Sequence, residues 1–252
     1  MRLLKKILDK SSSYCSKLLA VPFFGTRYST DLRHLSRFPL STNSEETFLH
    51  VMAVCHLRFG ELRVFIQSWL NQTDADWCMT ILHDGFSAEF EEIMCEYATL
   101  HPNRFTYYAT SHRYNDYGHT LRELGLSFKI GSYTLLTNAD NYFIPRSVEF
   151  LKREVASYAT STSCMPHVVL FDMVHSHCNP GRTIAPPYSF FEVSFEPFKI
   201  DMSSAIVDSS LASTVGFDDK SHGGDQTFFN SIKSSVSELH IAKVNSILLV
   251  HN

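Results

Sequence analysis

The strongest constraint on this chain is an alternation of short apolar runs and helically spaced apolar positions that starts at residue 47. Thr47 to Cys55 is an apolar, strand-like run. Glu61 to Asn71 follows, with Leu62, Phe65, Ile66, Trp69 and Leu70 on one face of a 3.6-residue period. Trp77 to Leu82 reads as a second strand ending at His83-Asp84-Gly85, and Phe86, Phe90, Ile93, Met94 and Tyr97 then recur at helical spacing. Phe105 to Ala109 is a third strand and Leu121 to Phe128 a further helix. Tyr133 to Thr137 is a fourth strand, running into Asn138-Ala139-Asp140-Asn141. Strands separated by helices of this length predict βαβ units and a mainly parallel sheet, hence the α/β class. Ligands of such sheets sit beyond the carboxyl ends of the strands, so Asp84 and Asp140 are expected at one rim.

After residue 160 the alternation breaks. Val168 to Met173 and Met202 to Val207 read as strands, and Gly224 to Ile232 as a helix opening on an acidic residue. Pro180 to Pro197 carries four prolines and four aromatics and reads as a loop walling a cleft. Residues 1–46 stand apart from the domain at 47–252. Leu3, Leu4, Ile7 and Leu8 repeat at helical spacing among Arg2, Lys5, Lys6 and Lys10, and residues 36–46 form a polar linker. The basic amphipathic stretch at 1–20 fits a docked terminal helix or a peripheral membrane contact equally well.

A chain of 252 residues can bury a full core, and 44% hydrophobic with 19% charged residues is ordinary for a globular protein. A net charge of -4 offers no electrostatic footprint for nucleic acid. Apolar runs such as Ile247 to Val250 are too short to span a bilayer. The six cysteines form no C-x-x-C pair and are expected as buried, reduced thiols. Asp9 and Lys10 interrupt any leader-like apolar stretch, so a reducing cytoplasm is the expected location.

Two strand ends carry the first chemistry. Asp84, followed by a flexible glycine, can accept hydrogen bonds from a nucleobase or ribose, although Asp-Gly is also a common turn. Asp140 ends an apolar strand in a polar cluster. A hard divalent cation such as Mg²⁺ or Mn²⁺ takes oxygen ligands, and one carboxylate plus two diphosphate oxygens suits it. A turn capping the strand is the alternative use.

The succession of segments resembles the family 2 glycosyltransferases. Val51 to His56, the helix through Gln72-Thr73 and the strand ending in Asp84-Gly85 look like that family's opening. Arg122-Glu123-Leu124-Gly125-Leu126 with Gly131-Ser132-Tyr133 resembles its Arg-Asn-x-Gly-Leu segment, where Glu123 departs from the pattern. Asn138-Ala139-Asp140-Asn141 with Pro145 stands at its Asp-x-Asp motif, with Asn138 in place of the first acid. Val215-Gly216-Phe217 and Gly224 to Phe229 resemble the stretch that carries the catalytic base.

The resemblance implies a GT-A fold: a Rossmann-like sheet flanked by helices, with a C-terminal acceptor-binding portion. It implies an inverting transfer from a UDP-linked sugar to a glycan or lipid-linked acceptor. His56, Asp84, Arg122, Asn138, Ala139 and Asp140 would bind the nucleotide-sugar. Asp140 with His251 would hold Mn²⁺ or Mg²⁺, and Asp225 would act as base. Asp172, His175 and His222, with His177 nearby, would line the acceptor side. Two rivals stand beside this reading. One is a nucleotidyltransferase on a sugar phosphate, for which Cys55 to Gly60 offers one glycine where a Gly-rich phosphate loop is expected. The other is a non-catalytic sugar-nucleotide or glycan-binding module.

Overall fold

Among the residues described by the computed structural model, 32–33, 47–176 and 188–252, ten strands form one sheet. In chain order the elements are β1 (Leu32–Arg33), β2 (Leu49–Cys55), α1 (Phe59–Leu70), β3 (Trp77–His83), α2 (Ala88–Leu100), β4 (Phe105–Thr110) and α3 (His119–Leu126). Then follow β5 (Tyr133–Asn138), β6 (Tyr142–Phe143), α4 (Ser147–Thr162), β7 (Val168–Ser176) and β8 (Tyr188–Phe191). A 3₁₀ turn at Met202–Ser204 leads into β9 (Ala205–Asp208), α5 (Ser209–Val215), α6 (Gly224–Ser234) and β10 (Ile241–His251). The sheet runs β1-β4-β3-β2-β5-β9-β7-β10-β6, with β8 on β7. The pairs β4-β3, β3-β2, β2-β5 and β7-β10 are parallel, and β9 joins the two parallel blocks antiparallel to both.

Central parallel strands are covered on both faces, so they read as continuous apolar runs rather than alternating ones. Leu49 to Val54 and all of β3 are buried accordingly. The helix α1 buries Leu62, Phe65, Ile66 and Trp69, and the Trp69 ring packs on Trp77 and Phe143. At α2 the Ser87 Oγ accepts the Phe90 N–H at 3.2 Å, so the helix begins at Ala88. Phe86 therefore falls before the helix and is 56% exposed, not part of its apolar face.

Several elements differ from their sequence expectation. Asp201 caps the turn at Met202–Ser204 by accepting the Ser203 N–H at 2.8 Å, which delays β9 to Ala205. The last strand starts six residues before Ile247, because β10 lies parallel on β7 through two bulges. The helix α4 went unnoticed in the sequence although Val148, Leu151 and Val155 carry a helical spacing and are buried. Cys78 is buried, and burial pushes its thiol up to about 12. Cys55 and Cys95 are half-buried, but Cys164 is exposed, which corrects the expectation of buried thiols. Cys15, Cys178, His177, the stretch 1–20 and the linker lie outside the described residues, as do residues 180–187 of the Pro180 to Pro197 loop. Among the described residues no helix is long and apolar enough to cross a membrane.

His50 on β2 is wholly buried and shares a 2.9 Å hydrogen bond with Thr80 Oγ1. Burial pushes its imidazole down to about 3. Below pH 6.5 the unfolded chain therefore takes up a proton that the folded one refuses, and stability is lost at about 1.4 kcal/mol per pH unit for this group. Urea denaturation between pH 6 and 5 should show a slope shallower by that amount in His50→Gln. An unchanged slope would mean that His50 is not the group responsible.

Candidate active site at the carboxyl edge of the sheet

Register decides which strand ends meet. On β2, Val54 stands opposite Leu82 of β3 on one side and Asn138 of β5 on the other. The next residues stay tied to β2, since Asp84 N–H donates to Cys55 O at 2.9 Å and Ala139 N–H to Val54 O at 3.0 Å. Asp84 and Asp140 thus share one rim, as expected. They line a cavity of about 470 Å³ together with His56, Arg58, Asn138 and Ala139. Arg113, Asn115 and Tyr117 close its far wall.

Asp84 is buried, and its carboxylate accepts the N–H groups of Tyr114 at 2.8 Å and Asn115 at 3.0 Å. Arg113 Nε lies 3.8 Å away. The carboxylate thus shapes the 113–117 wall, leaving its remaining lone pairs for a ligand. Gly85, at φ 95, takes the left-handed turn that lets its N–H donate to Thr110 Oγ1 at 2.7 Å. His56 Nδ1 donates to Asp84 O at 3.0 Å, and His83 Nδ1 to Gly85 O at 2.7 Å. His83 Nε2 accordingly accepts the Leu57 N–H at 3.3 Å, which pins the β2-α1 turn to β3.

Asp140 presents two different oxygens. Oδ2 pairs with Arg58 Nη1 at 2.7 Å. Oδ1 is buried without a hydrogen-bond partner among the described residues, an atom that a divalent cation would satisfy. Among those residues no group of three or more His, Cys, Asp or Glu side chains could hold a metal. The donor set therefore fits a cation whose coordination a ligand's phosphates complete, not a closed protein cage. Asn141, next in sequence, is buried; its Nδ2 donates to Thr137 Oγ1 and Ser203 Oγ, and its Oδ1 accepts the Asn252 N–H at 3.1 Å. This clamp brings the chain's last residues beside the Asn138 to Asn141 turn.

Arg122 is buried and works as a strut, not as a cavity wall. Its Nη2 donates to Asn138 Oδ1 at 2.6 Å, and its Nη1 to Tyr117 O at 2.7 Å and His119 Nδ1 at 3.0 Å. A guanidinium only donates, so His119 Nδ1 is the acceptor, the proton sits on Nε2, and Nε2 donates to Ser221 O at 2.9 Å. Burial, then the nearby Arg122 charge, pushes His119 down to about 4, consistent with this neutral ring. One chain of contacts thus runs from Asn138 through Arg122 and His119 to the loop before α6.

That loop aims Asp225, in the first turn of α6, at the Arg122 side of the site. Desolvation raises the Asp225 carboxyl above the usual carboxylate range; Arg122 opposes the rise and Asp201 adds to it. Met202 N–H reaches Asp225 Oδ2 at 3.4 Å. The Asp201 carboxylate lies 3.7 Å from His251 Nε2, and the His251 ring stacks on His175 at 4.6 Å because β10 pairs these two positions. Asp219 goes the opposite way: hydrogen bonds from Thr227 and Ser221 hold it down at about 2. Of the two acids flanking the loop, Asp225 thus holds a proton more readily than Asp219.

Gly224 is there for space. A Cβ on it would lie 2.5 Å from Asp219 O and 2.9 Å from His119 Nε2. Gly224→Ala should therefore cost about 1–3 kcal/mol of stability through overpacking and tilt the mount of Asp225. The expected result is a lowered Tm with donor affinity retained, and a wild-type Tm would show that the loop has slack.

The residues expected on the acceptor side are scattered. His222 is exposed at the mouth, its ring edge-on to Tyr117 at 5.4 Å. His175 is half-buried under His251. Asp172 is buried further down β7, where Lys243 Nζ at 2.9 Å and Val193 N–H at 2.9 Å both reach Oδ1. Sequence reasoning passed over Arg58, His119, Asn141 and Asp201. A D-x-x-S cap signal marks Asp201, whereas the role of Arg58 depends on a contact 82 positions away.

No protein-family model and no curated protein matches this chain. Solved structures do match its fold. TarS from S. aureus aligns over 82% of this chain at TM-score 0.64 and 14% identity, and a 1–349 fragment of it bound to UDP aligns over 81% at 0.61 and 13%. The mannosyltransferase PcManGT from Pyrobaculum calidifontis, in complex with GDP-Man and Mn²⁺, aligns over 84% at 0.57 and 12%. The chain spans 37%, 60% and 59% of those chains, respectively. The architecture is a GT-A-like glycosyltransferase fold, and these structural neighbours are glycosyltransferases.

Proposed function

We propose that this chain is an inverting, nucleotide-sugar-dependent glycosyltransferase. The observation that carries the reading is the meeting of a nucleotide-sized cavity, bearing Asp84 and Asp140, with a half-buried carboxyl at Asp225 whose pKa desolvation raises, joined through Arg122. Neighbours of the same fold are in complex with UDP, UDP-GlcNAc or GDP-Man, and the TarS complexes support a UDP-linked donor. In this reading the nucleoside lies between His56, Asp84 and the 113–117 wall. The diphosphate points toward Asn138, Ala139 and Asp140. Asp140 would hold Mn²⁺ or Mg²⁺ together with the phosphates, His251 standing in reserve on the clamped tail. Such a cation, when bound, offsets charge on the departing diphosphate.

The chain's own residues supply the rest. An acceptor hydroxyl, on a glycan or lipid-linked acceptor, enters from the side of His222 and attacks the anomeric carbon. Asp225 takes the hydroxyl proton, the new C–O bond forms, and the bond to the diphosphate breaks with its electron pair leaving on the nucleotide. Attack opposite the leaving group inverts the anomeric centre. Arg122 keeps Asn138 and Asp225 in fixed relation while this occurs.

The test is a panel of UDP- and GDP-sugars with Mn²⁺ or with EDTA, reading release of the nucleoside diphosphate. Release from one donor, stimulated by an acceptor glycan, is the expected outcome. Release of pyrophosphate from a nucleoside triphosphate and a sugar phosphate would instead identify a nucleotidyltransferase, and binding without release a non-catalytic module.

A further inference from the structure

The turn between β2 and α1 places two successive non-glycine residues in the left-handed region, Leu57 at φ 57 and Arg58 at φ 54. Such a pair is disfavoured for L-residues and persists only where the surroundings hold it. Here two contacts hold it: His56 is tied to Asp84 O, and Leu57 N–H to His83 Nε2. The result of this bracing is that the Arg58 side chain, 62% exposed, reaches across the cavity to Asp140. An ion pair this open adds little to stability, so stability does not account for a strained turn and an ordered long side chain. A ligand does. A guanidinium is a planar fork that matches phosphate oxygens two at a time, and Arg58 lines the cavity on the Asp140 side.

We propose that Arg58 is a diphosphate-binding residue of this site, and that Arg58 and a divalent cation are alternative partners of the Asp140 carboxylate. The proposal rests on the reading of the cavity as a nucleotide-sugar site. With Arg58 on Oδ2, a cation must either displace the guanidinium or make do with Oδ1. The phosphates can draw Arg58 off Asp140, because they offer it more oxygens and more charge than one carboxylate. The chain thereby carries its own positive group for the diphosphate, and donor binding keeps a component that needs no metal.

Calorimetry with UDP and with uridine tests this, in EDTA and in Mn²⁺, on wild type and on Arg58→Asn and Arg58→Lys. Asparagine tolerates the left-handed turn, so the first variant removes the charge without the fold, and a melting curve confirms it. In EDTA, UDP affinity should fall about 10- to 100-fold in Arg58→Asn, the range for losing a hydrogen-bonded charge, and less in Arg58→Lys. Uridine affinity should stay within about twofold. Mn²⁺ titrated alone, read by its spin-resonance signal, should bind more tightly to Arg58→Asn. Unchanged UDP affinity, or an equal loss for uridine, overturns the proposal, and so does unchanged or weaker Mn²⁺ binding. If wild type binds none of UDP, GDP and ADP, the donor reading itself fails. If it binds UDP and only the variant result is flat, that reading stands and the role of Arg58 falls alone.

Discussion

Replacing Asp225 by Asn should lower sugar transfer by roughly 10²–10⁴-fold while leaving UDP affinity and the fold in place. Asn keeps the size of the side chain and can still accept the Met202 N–H, but it cannot take a proton from an acceptor hydroxyl. The stability expectation follows from the direction of the Asp225 shift. Its folded pKa lies above the unfolded one, so the folded state binds the extra proton, and stability falls as pH rises through that window. At neutral pH the desolvated carboxylate is thus a cost, and Asp225→Asn should not lower the Tm. The same shift sets the acid limb of the rate profile, because activity requires the ionised base. Wild-type kcat/KM should drop as pH falls, starting above the ordinary carboxylate range, and residual transfer by Asp225→Asn should lack that limb. Transfer near the wild-type rate, or a product with retained anomeric configuration, would rule out Asp225 as base.

Asp140→Ala should remove the metal-dependent part of donor affinity, about 100-fold or more in the presence of Mn²⁺. Loss of even an outer partner of a metal ligand typically costs 10- to 100-fold, and Asp140 is the only carboxylate of its turn. Stability should change by under about 1 kcal/mol, because the partner it releases, Arg58, is largely exposed. Calorimetry of UDP in Mn²⁺ and in EDTA reads both parts, and equal affinities for wild type and variant in Mn²⁺ would sink the assignment. Asn138→Asp is the matching gain. Its Oδ1 can still accept from Arg122, and the added carboxylate should deepen the dependence on metal without abolishing transfer. A folded but inactive Asn138→Asp would mean that Arg122 needs a neutral partner there.

Much of the scaffold was legible before any coordinates, for a local reason. Buried parallel strands and amphipathic helices each leave a period in the chain, so β2, α1, β3 and the strand ends at Asp84 and Asp140 could be placed from spacing alone. Placing those two acids at one rim needed only the rule that parallel strands end together. The helix α4 carried the same kind of signal at Val148, Leu151 and Val155, but no side chain caps its start at Arg146, and it was missed. What no spacing held were contacts between distant segments. Arg58 on Asp140, Asn141 on Asn252, His251 on His175, and the strut from Asn138 through Arg122 and His119 to Ser221 all depend on which strands pair and in which register. The chain alone therefore determined the α/β class and the edge where chemistry belongs, because those follow from local burial patterns. The tertiary structure alone decided that Arg122 is a buried strut, that Asp84 shapes its own wall, and that Asp225 rather than Asp219 is raised. Desolvation and hydrogen-bond partners set those properties; around Asp84 and Asp225 they come from residues tens of positions away, whereas Ser221 and Thr227, which hold Asp219 down, are near it in sequence.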